Sequence, residues 1–303
     1  MMKIYMAPME GLTGYVYRNA HRACFGEMDR YFTPFLASKK FSSKEKKEIL
    51  PENNSGIDVV PQILTNRAEE FLCIVRNLEQ RGYPEVNLNL GCPSGTVTAK
   101  NRGAGFLKVK DELILFLEEI YSKSPIPISI KTRIGAYYPE EFAELIEIYN
   151  EFPLTELIIH PRLMTDFYKG NPRYECFDEA IRKCRHSLCY NGDINSVEDY
   201  RNITERFPSI DKIMLGRGLL ANPGLVKEIK GENPISPSDM KVFHQKLYDG
   251  YRESIGDERN TLFKMKELWV FMSRYYRNSE REIQNIRKSQ SYMDYEIAVR
   301  ALM

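Results

Sequence analysis

The sequence predicts a (β/α)8 barrel, the TIM-barrel class of α/β fold, followed by a C-terminal all-helical domain. Eight short β-rich runs alternate with longer amphipathic runs over about 220 residues. No GxGxxG follows the first of them, which argues against an open doubly wound sheet. After Asn222-Pro223 the alternation stops and helical periodicity alone continues.

The expected strands are Lys3–Met9, Asp29–Phe35, Asp58–Leu64, Glu85–Leu90, Pro127–Arg133, Thr155–His160, Ser187–Asn191 and Asp211–Gly216. Between them lie helix-like segments such as Arg67–Gln80, Asp111–Tyr121, Pro139–Asn150 and Ser196–Phe207. Asn66 and Ser196 stand where N-caps are expected. Gly231-Glu232-Asn233-Pro234-Ile235-Ser236-Pro237 reads as a linker, so the barrel domain is assigned to 1–235 and the helical domain to 236–303. Ser236-Pro237-Ser238-Asp239 can start the first helix of that domain, with breaks expected near Gly250 and Gly256-Asp257. Its main helix is expected to carry Phe263, Trp269, Phe271, Tyr275 and Tyr276, interleaved with Lys264, Lys266, Arg274, Arg277 and Arg281.

With 43% hydrophobic and 28% charged residues the chain reads as soluble and globular, and no apolar run reaches the eighteen or so residues of a membrane span. The start, Met1-Met2-Lys3-Ile4-Tyr5-Met6, reads as strand and not as a signal peptide, which places the protein in the cytoplasm. The six cysteines lack CxxC spacing and the four histidines lack HExxH or HxxxH, so no disulfide framework or metal site is expected. Nothing in the sequence demands more than a monomer. The net charge of +1 argues against a general nucleic-acid binder, yet residues 259–288 hold eight Lys/Arg against three Asp/Glu. Local charge is what meets phosphates.

In a barrel of this kind the C-terminal strand ends build the active site. Here they bring Pro8-Met9, Gln62, Asn89 with Cys92, Lys131 with Arg133, His160 with Arg162, Asn191-Gly192-Asp193 and Gly216-Arg217. Cys92 follows its strand on a Gly/Pro turn, which delivers a thiol to the rim, where it can exchange a proton. Lys131 on an inward strand position is costly without an anionic partner. Gly192 and Gly216-Arg217, after the seventh and eighth strands, suggest a phosphate site, with Leu219–Asn222 as its short helix.

Seven motifs in order resemble those of the tRNA-dihydrouridine synthases. They are Ala7-Pro8-Met9-Glu10-Gly11-Leu12-Thr13, Pro61-Gln62, Asn89-Leu90-Gly91-Cys92-Pro93, Arg102-Gly103-Ala104-Gly105, Lys131-Thr132-Arg133-Ile134-Gly135, Asn191-Gly192-Asp193-Ile194 and Gly216-Arg217-Gly218. The resemblance implies an FMN barrel with a helical RNA-binding domain, reducing the C5=C6 bond of selected tRNA uridines with NADPH. It assigns Cys92 as the general acid. Pro8, Met9, Glu10, Gln62, Lys131, His160, Asn191, Gly192, Asp193, Gly216 and Arg217 would hold the cofactor. Asn89, Arg162, Arg274 and Arg277 would meet the RNA substrate.

This chain departs from the family motifs at Pro161, Glu10 and Gly14, where Gly, Ala and Asp respectively are frequent. Two rival readings are an FMN barrel for a small molecule, of the dihydroorotate dehydrogenase or enoate reductase type, and an RNA-binding barrel without redox chemistry. The appended basic helical segment opposes the first, and the cysteine, lysine and phosphate-end motifs oppose the second.

Overall fold

Pro61, which has no N–H to give to a ladder, divides the third expected strand in two. The computed structural model describes residues 2–276 and 278–303, so Arg277 lies outside the described residues. The strands are β1 (Lys3–Met6), β2 (Arg30–Phe32), β3 (Val59–Val60), β4 (Gln62–Ile63), β5 (Val86–Leu90), β6 (Ile128–Arg133), β7 (Leu157–His160), β8 (Leu188–Asn191) and β9 (Lys212–Leu215). All neighbours are parallel, in the order β3-β2-β1-β9-β8-β7-β6-β5-β4. The two ends of that order, β3 and β4, are consecutive in the chain. Residue 61 therefore closes the (β/α)8 barrel covalently, and the Leu36 N–H, 2.8 Å from the Gln62 carbonyl, and the Leu64 N–H, 2.9 Å from the Leu36 carbonyl, reinforce the seam.

Strand alternation sorts the side chains into two cores. Tyr5, Phe32, Val60, Ile158, Cys189 and Met214 form an apolar layer inside the barrel. Ile4, Met6, Tyr31, Leu88 and Ile130 face outward into the larger core shared with the helices. Below the inner layer, Glu156 accepts from the Tyr5 hydroxyl at 3.3 Å and pairs with Lys212 at 3.0 Å. Above it the interior turns polar, and that change of character makes the upper end a site.

Local signals mostly act as expected, with two exceptions. Ser196 and Ser236 cap their helices, each accepting from the backbone N–H three residues on. Asn66 does not cap Ala68–Glu79; the Arg67 N–H goes to the Thr65 hydroxyl, and Asn66 instead bonds the Lys100 carbonyl and Arg102. Gly250 does not break the first C-terminal helix, which runs through Pro237–Ile255. Glycine is needed there because a Cβ would stand 2.8 Å from Val16 of the helix packed against it. The true stop is Gly256, in the left-handed region at φ 72°.

The expected aromatic-basic helix is broken into Glu258–Met272, a 3-10 turn Ser273–Tyr275 and Glu280–Lys288. Trp269 is fully buried and donates to Tyr295 at 2.8 Å. Phe243 of the first C-terminal helix packs on Tyr17 and Phe25 of the barrel's first helix, with centroids 5.5 and 5.2 Å away. Among the described residues no helix is long and apolar enough to cross a membrane, and no group of three or more His, Cys, Asp or Glu could hold a metal ion.

Two buried histidines give this packing a pH signature. His21 donates to the Pro223 carbonyl at 2.9 Å, and His244 meets the Tyr295 hydroxyl at 2.6 Å. Burial pushes both down to about 4. Each is neutral in the fold, while the unfolded chain binds its proton below about 6.5. Stability is therefore lost as pH falls from about 6.5 towards 4. We expect the melting temperature to drop by several degrees between pH 7 and 4.5. His244→Gln is expected to flatten that slope, and an unchanged slope would remove His244 from the account.

Candidate active site

The loop after β1 is folded by side chains that lie outside the cofactor set expected from the strand ends. Thr13 Oγ1 donates to the Ala7 carbonyl at 2.9 Å and accepts the Met9 N–H at 2.8 Å, closing a tight turn. Helix Tyr15–Phe25 begins at Gly14 without a side-chain cap. Its first N–H, on Tyr15, is met at 2.9 Å by Glu48, which is also ion-paired to the fully buried Arg18 at 3.0 Å. A Cβ on residue 14 would stand 2.6 Å from that carboxylate. The acid that Asp would supply at position 14 thus arrives from Glu48, which explains the glycine.

Cys92 is held by a second set of contacts. Asn89 Oδ1 accepts the N–H groups of Gly91 and Cys92 at 3.0 and 2.9 Å, fixing the turn that follows β5. Behind it, Ala104 donates to the Cys92 carbonyl at 3.0 Å. Gly103 sits at φ 56°, where a Cβ would be 2.7 Å from that same carbonyl oxygen. The Arg-Gly-Ala-Gly motif is therefore the backing of the cysteine turn. Arg133, 2% exposed, donates to the carbonyls of Gly91, Leu163 and Phe167 at 2.9, 2.7 and 2.6 Å, tying this turn to the loop after β7.

Two adjoining cavities open between these loops. The inner one, about 90 Å³, is lined by Ala7, His160, Asn191, Gly192, Asp193 and Gly216 among others. The outer one, about 420 Å³, has Gln62, Asn89, Cys92, Phe35, Phe167 and Phe271 in its wall. They share Pro8, Met9, Gly91, Lys131, Tyr168 and Arg217. All eleven residues expected around a cofactor border one cavity or the other, although Glu10 stands at the exposed outer lip, ion-paired to Lys44.

The site's charge is uneven. The Lys131 ammonium makes no hydrogen bond or ion pair with any described residue, and burial, then neighbouring Arg133, pushes it down to about 8. His160 is 7% exposed, its Nδ1 is buried without a partner, and burial followed by Arg133, Lys131, Arg162 and Arg217 holds it well below its ordinary value. It is a neutral imidazole at pH 7. Asp193, in the left-handed region at φ 47°, is gripped by both Arg162 and Arg217. Burial alone would raise its carboxyl, but the two guanidinium groups outweigh it and keep it ionised. Burial pushes the Cys92 thiol up, against weaker opposing pulls from the Ser94 backbone, Arg133 and Lys131.

A short helix follows β9 directly, as expected, but spans Arg217–Ala221 and not Leu219–Asn222. The N–H groups of Gly192, Arg217 and Gly218 make no hydrogen bond to any described residue. A Cβ on Gly218 would be 2.3 Å from the Ile194 carbonyl, so glycine is needed for this close approach.

Two of the expected substrate residues, Asn89 and Arg162, are already engaged within the protein, while Arg274 is exposed. Asn89 is 7% exposed and its amide is spent on Gln62 and on the cysteine turn. Arg162 is 1% exposed, lines neither cavity, and clamps Asp193 and the carbonyls of Lys169 and Gly170. Arg274 lies on the 3-10 turn over the Phe271 ring, 5.7 Å from its centroid. Conversely, Tyr168 was not foreseen. Its ring lies 4.9 Å from Arg217 and 5.4 Å from Arg133, at the junction of the cavities. The only hint in the sequence is its place in the loop after β7.

Comparison with known proteins agrees with this geometry. The model of the dihydrouridine synthase family matches residues 5–298. A "Probable tRNA-dihydrouridine synthase" of Staphylococcus aureus is 26% identical over 283 residues, covering 90% of this chain and 83% of that protein. A "tRNA-dihydrouridine(16) synthase" of Aquipseudomonas alcaligenes is 28% identical over 254 residues, covering 77% and 78%. Among solved structures, morphinone reductase superposes with a TM-score of 0.54 at 11% identity, over 80% of this chain and 88% of its own. That likeness speaks to the barrel alone.

Proposed function

Since this chain belongs to the dihydrouridine synthase family, we propose that it reduces the C5=C6 bond of a uridine in tRNA with FMN and NADPH, Cys92 giving the proton. The observation that carries the reading is the donor set around the joined cavities. A buried imidazole nitrogen without a partner, an unpaired ammonium and free backbone N–H groups line one side, and a protonated thiol lies in the outer wall.

These residues fit a flavin mononucleotide. Gly192, Gly216 and Arg217 would take its phosphate, with Asp193 orienting Arg217. Asn191, His160 and Gln62 offer hydrogen bonds to its polar edges, and Lys131 offers the counter-charge for an electron-rich ring. Pro8 and Met9 would form an apolar wall. When bound there, a flavin supplies hydride to C6 of the base, with NADPH as the source of the electrons.

The chain's own part is positioning and proton delivery. The outer cavity admits one pyrimidine base extruded from its stack, with Phe35, Phe167 and Phe271 as apolar surfaces. Cys92, kept protonated by burial, gives its proton to C5. The division into a barrel, 1–235, and a helical RNA-binding segment, 236–303, belongs to this proposal. Between the β1 loop and helix Glu258–Met272 lies a cleft of about 650 Å³ in which Lys44, Lys47 and Lys264 are balanced by Glu10, Glu48 and Glu267, and the exposed Phe263 offers a stacking surface there. Arg274 and Arg277 are proposed to meet RNA phosphates.

Mass spectrometry of nucleosides tests the reading. Unmodified tRNA incubated with the protein, FMN and NADPH is expected to yield dihydrouridine. Its absence, with flavin bound and NADPH still oxidised, would transfer the site to a small-molecule reductase.

A further inference from the structure

We propose that Asn87 is a positioning residue for the Cys92 thiol, acting through a directional relay of side-chain amides inside the barrel. The inference rests on the proposed role of Cys92. Asn87 is fully buried in the middle of β5, one inward position below Asn89. Its register partners are Gln62 on β4 and Ser129 on β6, and both face it inside the barrel.

The four side chains form one chain of hydrogen bonds. Asn87 Nδ2 donates to Ser129 Oγ at 3.0 Å, and Gln62 Nε2 donates to Asn87 Oδ1 at 2.8 Å. Asn89 Nδ2 donates to Gln62 Oε1 at 2.7 Å, and Asn89 Oδ1 accepts the N–H groups of Gly91 and Cys92. At the far end, the Ser129 hydroxyl donates to the Val86 carbonyl at 3.4 Å.

Each amide has a donor end and an acceptor end, so a relay of them has a direction. Backbone fixes that direction here. The Gly91 and Cys92 N–H groups can only donate and the Val86 carbonyl can only accept. Reversing any one amide would set N–H against N–H or oxygen against oxygen in a buried layer, at about 1–3 kcal/mol for each group left unmet. Asn87 is thus the link that holds Gln62, and through it Asn89, in the sense that the cysteine turn requires. Gln62 and Asn89 both border the outer cavity, while Asn87 borders neither. It acts only through the others.

Residue-resolved hydrogen exchange on the flavin-loaded protein without RNA, together with steady-state turnover, tests this. Asn87→Leu keeps the shape but deletes the link. It is expected to speed exchange at Gly91 and Cys92 about fivefold or more, roughly one lost hydrogen bond, while the rest of β5 is unchanged. We expect kcat for dihydrouridine formation to fall about tenfold with KM little altered. Asn87→Asp should restore both, because burial without a cation keeps the carboxyl protonated, and one oxygen then accepts from Gln62 while the O–H donates to Ser129. Ser129→Ala should move exchange in the same direction by less, and it decides the matter with Asn87→Asp should Asn87→Leu not fold.

Unchanged exchange at Gly91 and Cys92 in these variants would overturn the relay, as would an Asn87→Asp protein as impaired as Asn87→Leu. The outcomes separate from those of the function itself. If wild type makes no dihydrouridine, the proposed function fails while exchange still reports on the relay; if wild type turns over and exchange does not respond, only the relay fails.

Discussion

Cys92→Ala is expected to retain flavin and to lose about 10²–10⁴ in the rate of dihydrouridine formation, the span typical of a lost general acid. The argument is one of placement and protonation state. The thiol borders the outer cavity on a turn fixed by Asn89, Gly103 and Ala104. Burial is the largest influence on its acidity and raises it, so at neutral pH the group carries the proton that it has to give. The backbone contacts of the turn do not use the side chain, so alanine should leave the turn and the cofactor side intact. Flavin retention by absorbance, paired with nucleoside analysis, separates the two effects. Turnover close to wild type would remove Cys92 from the role, and loss of flavin would recast it as a structural residue.

Lys131→Met should produce the second large change, and in two opposite directions. The ammonium is enclosed and unpaired, and it is pushed down to about 8 by burial and by Arg133. The unfolded chain holds that proton up to about 10.5. Between pH 8 and 10.5 the unfolded state binds more protons, so stability rises with pH across that window, and below it the charged lysine weakens the fold. Removing the group should therefore stabilise the flavin-free protein at pH 7 by about 1–3 kcal/mol. Flavin affinity should fall at least tenfold, since the unpaired Lys131 ammonium at the junction of the cavities is gone. A variant that binds flavin as tightly as wild type would refute the assignment. The pattern is that of a functional site holding strain that only its ligand relieves.

The barrel was legible because its signal is local and repeated. Val86, Leu88 and Leu90 alternate with Asn87 and Asn89, and the other strands are short runs rich in apolar residues. The capping serines, Ser196 and Ser236, acted as sequence chemistry dictates. Gly250 was misread because a glycine inside a helix looks like a break until the neighbour that needs the space, Val16, is known. Asn66 was misread because its side chain is drawn to the Lys100 carbonyl and to Arg102, which leaves the helix start without a side-chain cap. The single aromatic-basic helix failed for a related reason. Periodicity continues through Ser273–Tyr275, but the chain tightens to 3-10 geometry there.

Strand-end position foretold that Cys92, Lys131, His160 and the Asn191-to-Asp193 and Gly216-Arg217 segments would border the same pair of cavities, because in a parallel barrel chain direction alone decides which ends converge. What each side chain does there was decided by tertiary contact. Arg162 has the composition of a substrate ligand, yet its two-point grip on Asp193 makes it a support. Asn89 carries a free-looking amide whose both ends are already met. Glu48 serves a helix that starts more than thirty residues earlier. Such assignments depend on which polar atoms are left unpaired after folding, and a buried polar atom is available to a ligand only if no neighbour has satisfied it. The order of apolar and polar residues along this chain sufficed to specify the barrel and to gather the right residue types at one rim. Only the folded structure decided which of them remain unmet, the His160 nitrogen and the Lys131 ammonium, because pairing is a property of neighbours in space.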